Sequence, residues 1–265
     1  MAMSIISYFK IPKLSYRVWK VWHRNMDVFM KTFKVNFIPP FLEPLLYLFA
    51  LGFGLGTYIE GIEGISYPRF IAPALIAISI MNSSFFECTY GSYVRMYYQK
   101  TFDGIIATPL SIEEVITGEI LWGATRSLIN TTIMLGVIAL FGLIDLRYSL
   151  LIIPLSFLAG LLFASIGMCF TAISPNINSM NYPTFLFITP MFLLSGTFFP
   201  LSVLPVSAQY FAIAVLPLTH VVSITRALTL ASPSWFMVLN LVWIIIASLI
   251  LFILSINLMK RRLIV

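Results

Sequence analysis

Charged residues are scarce in this sequence. Only 10% of its 265 residues are charged and 60% are hydrophobic, whereas an average soluble domain carries about 25% charged residues. A globule of this length has too little interior to bury so much apolar surface and too few charges to cover its outside. The composition therefore excludes a soluble fold and predicts an integral membrane protein.

Cysteine and histidine are also scarce, with two residues of each. Cys88 and Cys169 lie in apolar stretches, which favours free thiols packed as small apolar side chains over a disulfide scaffold. His23 and His220 stand alone and form no zinc motif. Asp27, Asp103 and Asp145 are scattered, so no paired aspartates suggest a metal-dependent enzyme. The sequence also lacks a nucleophile elbow and a G-x-x-x-x-G-K-[ST] loop. We therefore expect no catalytic residues, no metal site and no nucleotide or other cofactor bound by this chain.

The first 34 residues are basic and contain no continuous apolar stretch of the kind found in a signal peptide. Within residues 10–30, Lys13, Arg17, Lys20 and Arg24 fall on one side of a helix and apolar side chains fall on the adjoining side. This pattern predicts an amphipathic helix in the membrane interface, with its basic side toward anionic lipid headgroups. The alternative is that these cations only set the topology.

Six stretches are apolar enough to cross a bilayer, a distance that takes about 20 residues in a helix. They are residues 36–57, 70–94, 126–144, 150–173, 183–199 and 235–259. The sequence SPNIN at residues 174–178 separates the fourth stretch from the fifth. The fold class expected is an all-α integral membrane protein in which residues 1–265 form one transmembrane domain with six membrane-spanning helices.

Lys and Arg are distributed unevenly over this topology. With the N-terminus inside, 13 of the 16 lie on the cytoplasmic side, and only Arg69, Arg147 and Arg226 lie outside. Because Lys and Arg resist translocation, the asymmetry predicts a multi-pass protein of the cell (inner) membrane with both termini cytoplasmic. It also explains the net charge of +6 without a nucleic-acid partner.

The cytoplasmic segment 96–119 contains two helix signals. Ser111 and Glu114 fit a capping box, which predicts a helix that begins near Ile112. Before it, apolar residues recur at helical spacing from Phe102 until Pro109. We expect a short amphipathic helix here, with its apolar side available to a partner or resting on lipid headgroups.

The segment 200–230, between the fifth and sixth stretches, is predicted to lie on the outer side. Pro205 and Pro217 bracket eleven mostly apolar residues, which as a helix would reach about 16 Å and could not cross a bilayer. The segment therefore predicts a short re-entrant or interfacial helix, with a simple turn as the alternative.

Two acids, Glu43 and Glu87, lie inside predicted spans. Acids within the membrane are candidates for function, although an acid that hydrogen-bonds irregular backbone serves structure equally well. Pro39, Pro40 and Pro44 surround Glu43 and lack backbone donors, so this is the least regular part of the first span.

Several motifs, taken in their order along the chain, resemble the permeases of type-2 ABC exporters. The motifs are EP at 43–44, YLFALGFGLG at 47–56, RFIAP at 69–73, FECTYGS at 86–92, QKTFDGIIATPLS at 99–111, GE at 118–119, LSGTFFPL at 194–201 and LPLTH at 216–220. Within that family they are most similar to the nodulation-factor branch, whose members export lipo-oligosaccharides. Ala74 departs from the pattern, because a glycine is expected there.

The resemblance implies a homodimeric permease in the membrane lipids that works with two copies of a separate P-loop ATPase. ATP and Mg would bind to that partner. The cytoplasmic helix would couple the two proteins through Lys100, Thr101, Phe102, Asp103, Gly104, Ile105 and Ile106. The translocation pathway would include Glu43, Pro44, Glu87, Phe198 and Phe199.

The resemblance implies an amphiphilic cargo, such as a lipid-linked oligosaccharide or polysaccharide. The main alternative is an ion-coupled secondary transporter of a small amphiphile or drug, for which Glu43 and Glu87 would be the coupling sites. A membrane-embedded enzyme is a third reading, disfavoured by the missing catalytic motifs.

Overall fold

The regular structure of the chain is helical, as the apolar composition predicts. The computed structural model describes residues 9–59, 61–62 and 64–264, and these contain no strand. Helices α1 to α12 are, in chain order, Val18–Lys31, Phe33–Tyr47, Tyr67–Phe86, Thr101–Ile106, Ile112–Leu140, Leu146–Ser149, Ile152–Ile173, Asn181–Pro183, Thr189–Leu194, Val206–Val215, Pro217–Thr229 and Trp235–Leu263. Short π-helical and 3₁₀ stretches adjoin them at Leu48–Gly54, Leu55–Thr57, Glu87–Gly91, Val94–Tyr98, Ile177–Met180, Thr184–Ile188 and Leu201–Val203.

Four helical runs within the described residues are long and apolar enough to cross a membrane. They are Tyr67–Tyr98, Ile112–Leu140, Ile152–Ile173 and Trp235–Leu263. A fifth candidate is the pair α10 and α11, whose axes meet at 91°, as in a broken span or a re-entrant loop. These helices indicate an integral membrane protein with four or five candidate spans. The predicted number of six is not confirmed.

The first and fifth predicted spans are irregular. In residues 36–57, α2 passes into the π-helical turn Leu48–Gly54 and a short 3₁₀ turn. In residues 183–199, α9 ends at Leu194, so a regular helix to residue 199 is the wrong prediction. Both stretches contain prolines, each of which removes a backbone donor and disturbs the preceding turn.

The third predicted span, residues 126–144, lies largely within α5. That helix is continuous from Ile112 to Leu140, as expected for a helix that begins near Ile112 and leads into the span. Arg126 lies in its middle, and the guanidinium is accommodated because its Nε lies 3.6 Å from Oε2 of Glu87. The predicted starts of the fourth and sixth spans agree within two residues with those of α7 and α12.

Small residues allow α3, α5 and α7 to pack closely at the centre of the protein. A Cβ at Gly123 of α5 would lie 2.7 Å from Sγ of Cys88, and a Cβ at Gly167 of α7 would lie 2.8 Å from the carbonyl oxygen of Phe85. Helices in membranes associate through such close contacts, because lipid gives no hydrophobic drive between them. Helix α12 packs along the other side of α7.

Helix α1 packs against α5, and its buried residues include Val18, Val21 and Phe29. Gly118 of α5 permits this contact, since a Cβ there would lie 2.6 Å from Cβ of Val21. The helix predicted over residues 10–30 thus begins later, at Val18. Its place at the membrane interface stays a prediction.

The helix predicted between Pro205 and Pro217 is present as α10, Val206–Val215. Helix α11 follows at the sharp bend, and it is largely buried where α10 is largely exposed. Thr225 of α11 donates to the carbonyl oxygen of Pro73 at 3.0 Å, which ties this helix to α3.

Candidate functional site

A cluster of five charged side chains lies where α1, α5 and the helical run Tyr67–Tyr98 meet. Its members, called here the charge cluster, are Arg24, Glu87, Arg95, Glu119 and Arg126. The run Tyr67–Tyr98 and helix α5 each contribute one acid and one arginine. Within the described residues no three His, Cys, Asp or Glu side chains come together as a metal site would require.

Glu119 is fully buried in this cluster, and its carboxylate is well provided with donors. Nη2 of Arg95 lies 2.6 Å from its Oε2, and Ser92 donates to the same oxygen at 2.9 Å. Asn25 of α1 donates to Oε1 at 2.9 Å, and Arg24 lies 3.7 Å from that oxygen. A buried carboxylate is tolerated when its lone pairs are satisfied in this way.

Glu87 has three partners of its own. Nη1 of Arg95 donates to its Oε1 at 2.8 Å, and Trp122 donates to the same oxygen at 3.0 Å. Arg126 lies 3.6 Å from its Oε2. Arg95 therefore bridges the two acids, while Arg126 of α5 reaches across to the acid of the other run. Glu87, which the sequence predicts as a pathway residue, is thus held in a network of ion pairs.

Gly91 makes room for this network. A Cβ at this position would lie 3.2 Å from Oε1 of Glu87 and 3.4 Å from Nη1 of Arg95. A larger side chain would press on both partners of the ion pair, so glycine favours their close approach here, and no special backbone angle is involved.

A cavity of about 710 Å³ borders the cluster. Its lining includes Arg24, Glu87, Arg95 and Arg126. A second cavity of about 320 Å³ shares Glu87 and Arg126 with the first. Nε of Arg24 and Nε of Arg126 are buried without a hydrogen-bond partner among the described residues. Both guanidinium groups line the first cavity, and these two Nε atoms leave hydrogen-bonding capacity unused.

Arg24 faces the protein, which the sequence did not predict. Its side chain is 30% exposed and lies beside Glu119. Burial lowers the pKa of the Arg24 guanidinium below its ordinary value, and the charge of Glu119 opposes that shift. Because a guanidinium titrates far above neutral pH, Arg24 stays charged. The structure thus gives Arg24 an acidic partner within the protein, while its place on the headgroup side of α1 stays a prediction.

The other cations of the predicted basic stripe have different surroundings. Lys20 is exposed on α1. Lys13 and Arg17 precede the helix, and Arg17 donates from Nη1 to the carbonyl oxygen of Pro109. The stripe therefore does not form one uniform face.

The cytoplasmic segment folds as predicted in its second half. The capping box is confirmed, because Oγ of Ser111 accepts from the backbone of Glu114 at 3.2 Å and Oε2 of Glu114 accepts from the backbone of Ser111 at 2.8 Å. Helix α5 begins at Ile112 for this reason.

The short helix α4 turns its apolar side inward. Phe102 is completely buried among apolar side chains that include Ile116 of α5. Ile105 and Ile106 are half-buried against the same core. The expectation that this apolar side is available to a partner is therefore wrong. The exposed residues of the segment are Lys100, Asp103, Gly104, Ala107, Thr108 and Pro109, and Thr101 is half-buried.

Side chains from three parts of the chain meet at the start of α5. Glu113 accepts from the backbone of Lys13 and from Nζ of Lys260 at the end of α12, both at 2.5 Å. Ser15 donates to Oε1 of Glu114. Together with the bond from Arg17 to Pro109, these contacts join the segment before α1, the loop after α4 and the end of α12.

The remaining predicted pathway residues are Glu43, Pro44, Phe198 and Phe199. The side chains of Glu43 and Pro44, in α2, lie outside the part of the structure that is described. Phe198 packs edge-to-face on Phe192, with ring centroids 4.8 Å apart. Phe198 and Phe199 are half-buried and line neither cavity beside the charge cluster.

Sequence reasoning missed Arg95, Glu119 and Arg126 as members of a site and counted the two arginines only as topology signals. A signal was present. Glu119 and Arg126 are seven residues apart on one helix, so they share a face. Glu87 and Arg95, eight residues apart, place the same pair of opposite charges on the preceding run.

Comparison with known proteins agrees with the earlier resemblance. The family model described as ABC-2 type transporter matches residues 16–230. The chain is 34% identical to nodulation protein J of Rhizobium meliloti (strain 1021) over 253 residues, which is 96% of each protein. It is 35% identical to nodulation protein J of Rhizobium leguminosarum bv. viciae over 92% of this chain and 93% of that one. It is 26% identical to the inner membrane transport permease YadH of Escherichia coli (strain K12) over 70% of this chain and 72% of that one.

A match over most of the chain, with near full-length relatives above 30% identity, settles the family. Permeases of this family are the membrane components of transporters, and they normally pair with an ATPase subunit. The chain is an integral membrane protein and belongs to the ABC-2 type transporter family as an ABC transporter permease.

Proposed function

We propose that this permease is the membrane-spanning subunit of an ATP-driven exporter that moves a lipid-linked oligosaccharide, a polysaccharide or a related amphiphile outward across the inner membrane. Two copies would form the pathway, and two copies of a separate ATPase would bind ATP and Mg. Family membership supports the transporter part. The similarity to nodulation protein J supports a cargo of the lipo-oligosaccharide type.

The observation that carries the proposal is the set of contacts at the start of α5. Asp103 and Lys100, in the cytoplasmic segment 96–119, are exposed and available to an ATPase. The same segment leads directly to Pro109, whose carbonyl oxygen accepts from Arg17 before α1. A force on α4 would therefore reach α1 and α5 together.

The end of α12 joins this route through a second contact. Lys260 lies 2.5 Å from Glu113 at the start of α5. Phe102 anchors α4 in the same core that includes Met259 of α12. Displacement of α4 by a closing ATPase would thus act on the start of α5 and on the end of α12.

Ion-coupled transport is disfavoured by the surroundings of Glu87. An acid that couples transport to ion flow must exchange its ion during each cycle. Here two arginines and Trp122 already contact the Glu87 carboxylate. An incoming cation would have to displace the guanidinium groups, which are permanently charged.

The test is reconstitution in liposomes with the partner ATPase. We expect a fluorescent lipo-oligosaccharide to move only when ATP is present on the ATPase side. A catalytically inactive ATPase in the same liposomes is the control. Transport that requires a proton or sodium gradient and proceeds without the ATPase would contradict the proposal.

A further inference from the structure

The cavity beside the charge cluster opens to the surface of the protein and continues inward along polar residues. Val28, Thr32 and Gln99 line it and are exposed, so the cavity has a mouth between α1 and the run that ends at Tyr98. The smaller cavity continues from Glu87 and Arg126 toward Ser79 and its neighbours on α3. Ser79 lies eight residues before Glu87, which is about 12 Å along a helix.

The charges at this cavity do not balance. Among the described side chains of the cluster, three are guanidinium groups and two are carboxylates. Arg95 uses its donors on both acids. Arg24 and Arg126 approach their acids only at 3.7 Å and 3.6 Å, and each has a buried Nε without a hydrogen-bond partner in the described structure. Nη2 of Arg24 donates to Oδ1 of Asn25, a neutral acceptor that leaves the charge of the guanidinium uncompensated.

A poorly paired guanidinium in a membrane protein is costly, because the charge is removed from water. An anion bound in the cavity would offset that cost. Guanidinium groups match oxyanions in shape, since their planar donors reach two oxygens at once, and phosphate is a preferred partner. Phe29 lies under the flat face of Arg126, 4.8 Å from its central carbon, which leaves the edges of the guanidinium available.

The mouth of the cavity favours an anion that carries an apolar chain. Val28 lines the mouth and is 55% exposed, and Tyr90 and Val94 line the same cavity and are half-buried. An acyl or prenyl chain could lie along these side chains while its charged group enters the cavity. The smaller cavity is lined by Ser79, Asn82, Ser83 and Asn130, whose hydroxyl and amide groups suit a hydroxylated headgroup.

We infer that this cavity binds the phosphate group of an amphiphile, held by Arg24 and Arg126. A resident phospholipid and a phosphate-linked cargo share this chemistry. Only the assignment to cargo rests on the proposed export function. The binding site itself stands on the geometry of the cavity.

The test is a binding titration of the purified full-length permease in dodecyl maltoside, with no ATPase and no ATP. The probe is dodecyl phosphate, and the comparisons are dodecanol and inorganic phosphate. Calorimetry gives the affinity, and tryptophan fluorescence, to which Trp122 of the cavity lining contributes, gives an independent signal. We expect dodecyl phosphate to bind at least about tenfold more tightly than either comparison, which corresponds to ~1.4 kcal/mol.

Variants locate the site. Arg126→Gln and Arg24→Gln should each weaken binding of dodecyl phosphate about tenfold, the loss expected for one charged hydrogen bond. Lys20→Gln removes the same charge from an exposed position of α1 and should leave binding unchanged. Arg24 is partly exposed, so its variant keeps the test decisive even if Arg126→Gln does not fold. Unchanged affinity in Arg24→Gln, or equal binding of dodecanol, would overturn the inference.

Two further outcomes identify the ligand. If inorganic phosphate binds as tightly as dodecyl phosphate, the site takes a free anion and the amphiphile is wrong. In the complex with the ATPase, dodecyl phosphate that accelerates ATP hydrolysis marks a cargo site, whereas binding with unchanged hydrolysis marks a resident lipid. Failure of ATP-driven export in liposomes would contradict the proposed function and leave a measured binding site in place.

Discussion

Arg95 and Glu119 form an ion pair in the interior of the protein, with Nη2 of the arginine 2.6 Å from Oε2 of the acid. The two residues lie on different helical runs, and the acid is completely buried. Removing one partner of such a pair leaves an uncompensated charge in an apolar environment. The pair therefore holds the Tyr67–Tyr98 run and α5 in one arrangement.

Glu119→Ala should destabilise the protein strongly. Breaking a buried pair costs about 3–5 kcal/mol, because the remaining charge loses its partner. Thermal unfolding of the purified variant in detergent measures the effect as a lower transition temperature. Asp103→Ala is the matched control, since Asp103 and its partner Lys100 are 62% and 66% exposed and exposed pairs contribute about 1 kcal/mol or less. Equal transition temperatures for the two variants would contradict a structural role of the buried pair.

Gly118→Ala should displace α1 from α5. The new Cβ would lie 2.6 Å from Cβ of Val21 and 3.2 Å from the carbonyl oxygen of Val18. Overpacking of this kind costs about 1–3 kcal/mol. Hydrogen exchange of α1, followed by mass spectrometry, should show faster exchange than in the parent protein.

Gly136→Ala, also on α5, provides the control for Gly118→Ala. No atom outside the local helix lies within 4 Å of a Cβ at that position. Alanine has a higher helix propensity than glycine, so this variant should keep α5 intact and leave hydrogen exchange in α1 unchanged. If both variants loosened α1 to the same degree, the contact with Val21 would not be the reason.

The sequence predicted the elements whose signals are local. The capping box placed the start of α5, and Pro205 and Pro217 bounded α10 within one residue. Long apolar stretches without charges predicted α7 and α12. These signals act through a few neighbouring residues, so they need no knowledge of the rest of the fold.

The charge cluster could not be predicted in the same way. Treating a charge as the boundary of a span placed Arg126 at the start of the third span, whereas it lies in the middle of α5 beside the distant Glu87. Helical periodicity placed Arg24 on a basic stripe, whereas it lies 3.7 Å from Glu119 of another helix. Which charges pair depends on how helices pack, and the sequence of one chain does not state that packing. The apolar side of α4 was misassigned for the same reason, because Phe102 meets the core of its own chain.

Asp103→Arg should weaken the interaction with the ATPase. The Asp103 side chain is 62% exposed and contacts only the equally exposed Lys100 at 3.8 Å, so its replacement should leave the fold intact. Charge reversal on a docking surface changes association through direct repulsion. We expect reduced co-purification of the ATPase and reduced cargo-stimulated ATP hydrolysis.

Two companions make this prediction specific. Asp27→Arg reverses a charge at an exposed position on α1 and should leave the complex unchanged. Phe102→Ala creates a cavity in the core, so it should lower the unfolding temperature along with complex formation. A complex of normal yield and activity in Asp103→Arg would contradict docking of the ATPase on α4.

The two ends of α5 should lie on opposite sides of the membrane, with the end near α4 in the cytoplasm. The helix has 29 residues and reaches about 43 Å, enough to cross a bilayer. Thr108 before the helix and Leu146 after it are exposed, so each can be replaced by cysteine after Cys88 and Cys169 are changed to alanine. In intact cells whose outer membrane has been permeabilised where one is present, a membrane-impermeant maleimide should label Leu146→Cys and not Thr108→Cys. Opening the cells should make both cysteines reactive.

Labelling of Thr108→Cys alone in intact cells would contradict the orientation predicted from the asymmetry of Lys and Arg. Labelling of both cysteines from the outside would show that α5 does not cross the membrane.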